Sequence, residues 1–301
     1  MKLGSIEAGG TKFVCAIGNE KGEIFESEVF PTCSPEITME SVVSFFKNKG
    51  IEALGIGSFG PISLNPKSED YGSITTTPKI LWQNYNILKK LKENFDIPVG
   101  FDTDVNVAAL GEYTWGGAKG LNSCFYMTVG TGIGAGIIAE GNMIHGLLHP
   151  EAGHIIVPKH PDDTFEGVCP FHKNCLEGLA SGPAIEKRWG KKGNELPSDH
   201  VAWDIEAYYI AVAMVQTILM VSPERIILGG GVMKQSQLFQ KIRNKTAKLL
   251  NGYIKVPAVT LNMDEYIIPP VLGDNAGICG GLALAARELK KQEGKSVSVK
   301  I

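Results

Sequence analysis

The chain has 301 residues, 44% of them hydrophobic and 20% charged, with a formal net charge of −3. That length suits two domains of ordinary size, each with its own core, and a single barrel is the alternative. The near balance of charge leaves no electrostatic footprint for nucleic acid or for an anionic membrane surface.

Thirty-six glycines, many clustered, mark places where backbone turns tightly or approaches a ligand. The six cysteines, at 15, 33, 124, 169, 175 and 279, are scattered apart from one pair. That argues for a reducing compartment and a metal rather than a disulfide framework. The opening MKLGSIEAGGTK has no apolar core of signal-peptide length, and the longest apolar run, 207–221, is interrupted by Gln216 and stopped by Pro223. A cytoplasmic protein with one long buried helix is expected.

In chain order, apolar segments at 3–6 and 13–17 read as two strands flanking the turn Glu7-Ala-Gly-Gly-Thr-Lys12. Gly9 and Gly10 can point consecutive N–H groups into one concavity beside the Thr11 hydroxyl and the Lys12 charge, which suits a phosphate; a plain hairpin needs no ligand. A helix over about 35–49 and a strand at 53–58 follow, ended by Ser58-Phe-Gly-Pro-Ile62. The loop carrying Gly72-Ser-Ile-Thr-Thr-Thr-Pro-Lys79 and Trp82-Gln-Asn84 is dense in groups that line small polar ligands. A helix at 88–95 leads to a strand at 98–101.

That strand ends in Asp102-Thr-Asp104-Val-Asn106, before the helix formers Val107-Ala-Ala-Leu-Gly-Glu112. A carboxylate at a strand end and helix start is well placed for function. The helix terminus favours a charged Asp104, able to orient a hydroxyl and accept its proton, or simply to cap the helix. Asp102 is the rival base.

After Trp115-Gly-Gly-Ala-Lys-Gly120 the pattern restarts, which puts a domain boundary near Gly116. A strand at 123–129 runs into Gly130-Thr-Gly-Ile-Gly-Ala-Gly136 and a strand at 137–139. Gly130, Gly132 and Ala135 fit a relaxed dinucleotide fingerprint, yet a turn at Glu140-Gly-Asn142 follows where a Rossmann loop would open a helix. A second phosphate-holding hairpin, echoing Gly9-Gly10-Thr11, is the better reading. No Walker A sequence occurs.

The stretch from His149 to Pro183 holds Cys169-x-x-His172-x-x-Cys175, three metal ligands in seven residues. Zinc needs four N or S ligands, and His154, fifteen residues upstream of Cys169, is the economical fourth, with His160 as competitor. Four protein ligands leave no open position, so such a metal staples the loop. In Glu151-Ala-Gly-His154, one imidazole nitrogen on the metal would leave the other as an aimed donor beside the Glu151 carboxylate, a pair suited to sugar hydroxyls. Glu151 as a turn cap and His154 as a ligand only is the plainer alternative. Beyond it, Ser181-Gly-Pro183 precedes a short helix and Asp204 opens the long one. A strand at 225–228 runs into Gly229-Gly-Gly231-Val-Met233, and Gly273-Asp-Asn-Ala-Gly277 leads a helix at 278–289 that should cross back toward the first domain. The charged tail from Lys290 should fray.

Three glycine turns, an aspartate at a strand-to-helix junction and a zinc-type loop, in this order, resemble the ROK sugar kinases across nearly the whole chain. The most specific parts are Glu151-x-Gly-His154 and the Cys-His-Cys cluster, supported by Gly9-Gly-Thr-Lys12, Gly130-Thr-Gly-Ile-Gly134 and Leu228-Gly-Gly-Gly231. Ser58-Phe-Gly-Pro-Ile62 and Thr76-Thr-Pro-Lys79, with Trp82 and Asn84, look like the bacterial fructokinase branch. The resemblance implies a two-domain α/β fold of the actin, Hsp70 and hexokinase superfamily, ribonuclease H-like, with a cleft between the domains. Residues 1–115 would form the first domain, 116–277 the second, and 278–301 a returning helix and tail.

It further implies Asp104 as the base, with Gly60, Pro61, Pro78, Lys79, Thr103, Glu151 and His154 around the hexose, and Zn²⁺ on His154, Cys169, His172 and Cys175. Gly9, Gly10, Thr11, Lys12, Thr131 and Gly132 would hold the phosphates of ATP. Gly182, Pro183, Gly230, Gly231, Val232, Met233, Lys234 and Gln235 would flank the nucleotide, with Mg²⁺ bridging its phosphates. Many family members have Asp where Glu7 stands and Asn where Thr103 stands, which bears on Mg²⁺ geometry and on sugar reading. A homodimer is implied, with a hexose and ATP as partners and neither nucleic acid nor membrane. ROK repressors share the domain, but this chain opens directly on its first strand, with no room for a helix-turn-helix. An ATP-driven chaperone or filament protein of the superfamily would not explain the hydroxyl-binding motif.

Overall fold

The computed structural model describes residues 1–292 and 294. The chain divides into two compact units, one of residues 1–120, 136–150 and Val271 onward, the other of 121–135 and 151–270. This differs from the three consecutive segments expected from the sequence: residues 136–150 return to the first unit, and the second ends at Pro270.

The first unit is built on strands β1 (Leu3–Ala8), β2 (Lys12–Gly18), β3 (Ile24–Pro31) and β4 (Ala53–Ser58), with helix α1 (Pro35–Phe46) between the last two. A small pair, β5 (Ser73–Ile74) and β6 (Tyr85–Asn86), precedes α2 (Ile87–Lys92), β7 (Val99–Thr103) and α3 (Asp104–Thr114). The sheet order is β3-β2-β1-β4-β7. β1 runs antiparallel to β2 and parallel to β4, and β4 runs parallel to β7, with Ala8 opposite Ser58 and Ser58 opposite Thr103. The carboxyl ends of three strands therefore share one edge, where open α/β sheets bind ligands. Gly9, Phe59 and Asp104 are the first residues beyond it.

β3 has no counterpart in the sequence reading. Its side chains are mostly exposed and charged residues Glu26 and Glu28 interrupt it, so it lacks an apolar face; as the sheet's edge, this charge protects it from pairing with another chain. Against the sheet packs a core that includes Phe13, Met39, Phe46, Leu54, Ile56 and Trp82. Trp82, expected in a ligand-lining loop, is instead buried: its indole stacks near Phe13, Phe59 and Tyr85, and its N–H donates to the Cys33 carbonyl at 2.9 Å.

The second sheet has the order β10-β9-β8-β11-β12, with β8 at Cys124–Val129, β9 at Ile133–Ala139, β10 at Asn142–Met143, β11 at Ile226–Gly229 and β12 at Ile267–Ile268. β9 starts four residues earlier than expected, so Gly134 and Gly136 lie within a strand. Gly136 is needed there because an added Cβ would run into the Val105 carbonyl and Asn106 Cα. Helices α4 (Leu176–Ala180), α5 (Gly182–Trp189), α6 (Ala202–Met220), α7 (Gln237–Leu250), α8 (Pro257–Thr260) and α9 (Met263–Tyr266) complete the second unit. α6 is largely apolar and buried on most sides, with Asp204, Glu206 and Gln216 as its charged and amide side chains.

The last helix, α10 (Ala276–Gln292), packs on α3 and β4 through glycines. An added Cβ at Gly280 would strike the Val107 carbonyl, one at Gly111 the Ala276 carbonyl, and one at Gly55 the Gly281 carbonyl. Backbone meets backbone along this seam, and the Ser5 hydroxyl reinforces it by donating to the Ile278 carbonyl at 2.8 Å. Of the tail expected to fray, Lys290 to Gln292 still belong to α10, and the rest lies outside the described residues apart from Gly294.

Candidate active site

In the first unit the β1–β2 turn closes with Gly9 N–H donating to the Lys12 carbonyl at 3.0 Å. The turn is anchored on its far side, where the Thr32 hydroxyl donates to the Gly9 carbonyl at 2.7 Å and Thr32 N–H to the Thr11 carbonyl at 3.0 Å. Lys79 lies beside it: a Cβ built on Gly10 would sit 3.5 Å from Lys79 Cε. A residue expected at the sugar thus stands at the phosphate-type turn. Pro78 precedes it in a loop held by Gln83, whose amide donates to the Thr77 carbonyl at 2.9 Å. Gly60 and Pro61 are fixed by Thr75, whose N–H and hydroxyl both donate to the Pro61 carbonyl, at 2.8 and 3.0 Å. From residues 136–150 the buried His149 accepts Ile62 N–H at 3.3 Å.

At the end of β7, Thr103 caps α3, its hydroxyl accepting Asn106 N–H at 3.1 Å. The helix consequently starts at Asp104 rather than at Val107, and Asp104 is its first residue, where the helix dipole favours a carboxylate. Its Oδ1 accepts Val105 N–H at 2.9 Å. Asp102, the rival base, is buried, and donors occupy both its oxygens: Thr103 N–H and Asn106 Nδ2 on Oδ1, His145 Nε2 on Oδ2. A general base needs an oxygen turned to its substrate. Both Asp102 oxygens are instead engaged within the fold.

Glu7 lies against Gly277, where an added Cβ would meet its Cδ at 2.7 Å. Burial pushes its carboxyl up from the ordinary value, Lys12 pulls it down, and Asp274 pushes it up.

In the second unit three of the expected nucleotide segments converge. Gly130 N–H donates to the Gly132 carbonyl at 2.9 Å, closing a turn around Thr131, and Gly182 N–H donates to the Gly130 carbonyl at 2.7 Å. A Cβ on Gly130 would lie 3.8 Å from Gly231 N. Gly230, with φ of +92°, could not carry a side chain without striking Val129. Pro183 follows Gly182 at the start of α5, where Ser181 is the cap and accepts Ala184 N–H at 3.4 Å. Val232 and Met233 are buried, so only their backbone can face a ligand; Lys234 is exposed, and the Gln235 amide donates to the Gly193 carbonyl at 3.3 Å.

Glu151 leads a short turn of 3₁₀ helix, its carbonyl accepting His154 N–H at 3.0 Å. Gly153 within it presses on the start of β9 so closely that an added Cβ would collide with the Ile133 carbonyl oxygen. The next carboxylate, Glu177, was not among the expected residues. Its Oε2 accepts Ile133 N–H at 2.9 Å and would sit 2.8 Å from a Cβ on Gly132. Its position two residues after the last cluster cysteine, in the first turn of α4, was the available signal.

The ligand atoms of His154, Cys169, His172 and Cys175 all lie within 4.8 Å of one another. His154 Nδ1 is 3.8 Å from Cys169 Sγ and 3.5 Å from Cys175 Sγ, and His172 Nδ1 is 3.8 Å from Cys169 Sγ. Tetrahedral zinc with bonds of about 2.3 Å to sulfur and 2.0 Å to nitrogen implies S···N separations of about 3.5 Å, so the donor set fits. Because Nδ1 turns inward, Nε2 is the His154 nitrogen left for another partner. His160 is elsewhere: its N–H donates to the Tyr209 hydroxyl and its Nδ1 accepts Asp162 N–H.

The ROK family model matches residues 3–288. The chain belongs to the ROK family. Among the relatives of this ROK protein, the fructokinase of Pediococcus pentosaceus is 49% identical over 290 residues, covering 96% of this chain and 99% of the other. The fructokinase of Streptococcus mutans is 46% identical over 290 residues, covering 94% and 97%. A crystal structure of a ROK hexokinase from Thermus thermophilus superposes with a TM-score of 0.79 at 26% identity, over 97% of this chain and 100% of that one. The two-domain α/β kinase fold is therefore that of this ROK protein as well.

Proposed function

We propose that this ROK protein transfers the γ-phosphoryl group of ATP to a hexose, D-fructose before others, yielding D-fructose 6-phosphate. The observation carrying the choice of sugar is near-half identity to fructokinases along almost their whole length. Asp104 is the base: at the sheet edge and at the start of α3, it aligns the attacking hydroxyl and takes its proton as the bond to phosphorus forms. Glu151 and His154 Nε2 hold neighbouring hydroxyls, with Gly60, Pro61, Pro78 and Thr103 shaping the site. The turns at Gly9–Lys12 and Gly130–Gly132 supply N–H donors to the phosphates, Lys79 adds a positive charge beside the first, and Gly182, Pro183 and Gly230–Gln235 flank the nucleotide. Bound Mg²⁺ would neutralise charge on the β- and γ-phosphates. His154, Cys169, His172 and Cys175 would hold a structural Zn²⁺, which would fix the direction of the second His154 nitrogen.

A cytoplasmic homodimer completes this reading. No helix among the described residues is long and apolar enough to cross a membrane. ADP release coupled to fructose, glucose, mannose and N-acetylglucosamine in turn tests the assignment, with fructose expected to give the highest kcat/KM by about tenfold or more, since one or two hydroxyls decide. A higher value for another sugar would reassign the substrate, and no sugar-dependent ADP release would refute kinase activity. Light scattering reads the dimer.

A further inference from the structure

Asp102 stands behind the proposed base at the end of β7, 3% exposed. Its Oδ1 accepts Thr103 N–H at 2.8 Å and Asn106 Nδ2 at 2.7 Å, and its Oδ2 lies 2.7 Å from His145 Nε2. The carboxylate thus ties together the cap residue and the third residue of α3, on either side of Asp104. Asn106 is fully buried, and its own Oδ1 has no hydrogen-bond partner. An orphaned buried acceptor is destabilising. The amide keeps this orientation because Asp102 offers its Nδ2 an acceptor.

His145 reaches this junction from the loop after β10, and among the described residues its ring is the one side chain placed on Oδ2 at hydrogen-bonding distance. Its bond to Asp102 pushes the imidazole up from the ordinary value, burial pulls it down, and the Met143 backbone adds a further upward push. Because the Asp102 carboxylate is buried, removing its partner leaves a desolvated oxygen without a donor, a far larger change than losing a surface ion pair. The ring is also 36% exposed, on the wall of a cavity of about 920 Å³.

We propose that His145 is a positioning residue for phosphoryl transfer: by donating to Asp102 it holds the β7–α3 junction in the geometry that presents Asp104 to the sugar. It acts through Asp102 and has no contact with the reacting atoms in this role. The proposal rests on Asp104 being the base. Small misplacements of a catalytic group by remote changes cost up to about 100-fold in rate.

The test compares His145→Ala, His145→Gln and His145→Phe in steady-state kinetics, with Asp104→Asn alongside. His145→Ala should lower kcat about 10- to 100-fold with both KM values within about twofold of the parent. His145→Gln, whose amide can donate from the same place, should recover most of that loss. Imidazole in solution should rescue His145→Ala saturably, entering from the cavity. Unchanged kcat in His145→Ala, or a loss that neither Gln nor imidazole repairs, overturns the proposal. Should His145→Ala fail to fold, His145→Phe keeps the ring without the donor, and equal turnover in the Phe and Gln variants overturns it instead. An active Asp104→Asn defeats the assignment of the base, an outcome separate from any of these.

Discussion

Thr103 Oγ1 accepts the Asn106 backbone N–H at 3.1 Å, so threonine caps α3 and the neighbouring Asp104 is inside the helix. Capping falls to Thr103, and the proposed catalytic role to the adjacent Asp104. Thr103→Ala should cost about 1 kcal/mol of stability, the worth of a cap. Asp104→Asn should change stability by less than about 1 kcal/mol while lowering kcat by about 10²–10⁴ and sparing hexose affinity. Thermal denaturation, calorimetric sugar binding and ADP release measure the three quantities; an Asn variant retaining a tenth of parental turnover would remove Asp104 from the role.

Gly153→Ala forces a methyl group against the Ile133 carbonyl, at the start of β9 beside the Gly130–Gly132 turn. The atoms it meets, the O, C and Cβ of Ile133, are not flexible side-chain ends, so backbone must move, at about 1–3 kcal/mol. The expected outcome is a raised hexose KM with bound metal retained. Kinetics paired with metal analysis checks it, and a parental KM would show that the turn tolerates displacement.

Glu206 is fully buried on α6, and neither of its carboxylate oxygens has a hydrogen-bond partner. Burial pushes the carboxyl well above its ordinary value, with Arg188 pulling the other way. A folded-state value above the unfolded one makes the folded protein favour the protonated form. Its stability contribution is whole below the unfolded value and is lost as pH rises toward the folded one. Glu206→Gln should therefore be nearly neutral at the acid end and increasingly stabilising upward, by up to about 1.4 kcal/mol per pH unit within that window. Urea unfolding from pH 5 to 8 reads this directly; a gain independent of pH would contradict it.

Stripping the His154, Cys169, His172 and Cys175 cluster with a chelator should release one zinc per chain. Thermal stability should drop by about 5 °C or more, returning on zinc addition. Hexose KM should rise along with it, because a bound metal would set the direction of the His154 ring. Cys175→Ser should behave like the stripped protein. A chain purified without zinc, with stability indifferent to the chelator, would show that the loop stands by itself.

Much of this was legible from residue order, and the parts that were not have a common cause. Glu151-x-Gly-His154 and the cysteine cluster are local in sequence, so spacing alone brought three ligands to one point and left the fourth, His154 or His160, to geometry. Strands β1, β2 and β4 announced themselves by short segments that alternate or run apolar. β3 did not, because an edge strand with charged residues has no periodic face. Asp102 and His145 are 43 residues apart, and no pattern around either predicts the other. Trp82 misled because an aromatic among hydroxyls reads alike in a binding loop and in a core. The return of residues 136–150 to the first unit depends on Gly136, whose role is to let α3 approach, and a glycine does not say which partner it makes room for.

The glycine seam between α3 and α10 sets an order of events for a nascent chain. Residues 276–286 leave the ribosome well after α3, yet Gly111 and Val107 on α3 meet their backbone with no room for an added methyl group. Until they emerge, the helix that begins at Asp104 has the side lined by Val107 and Gly111 open to water. Newly made protein should thus form the sheet of its first unit before α3 is covered, and α3 is covered only once residues 276–286 have been made.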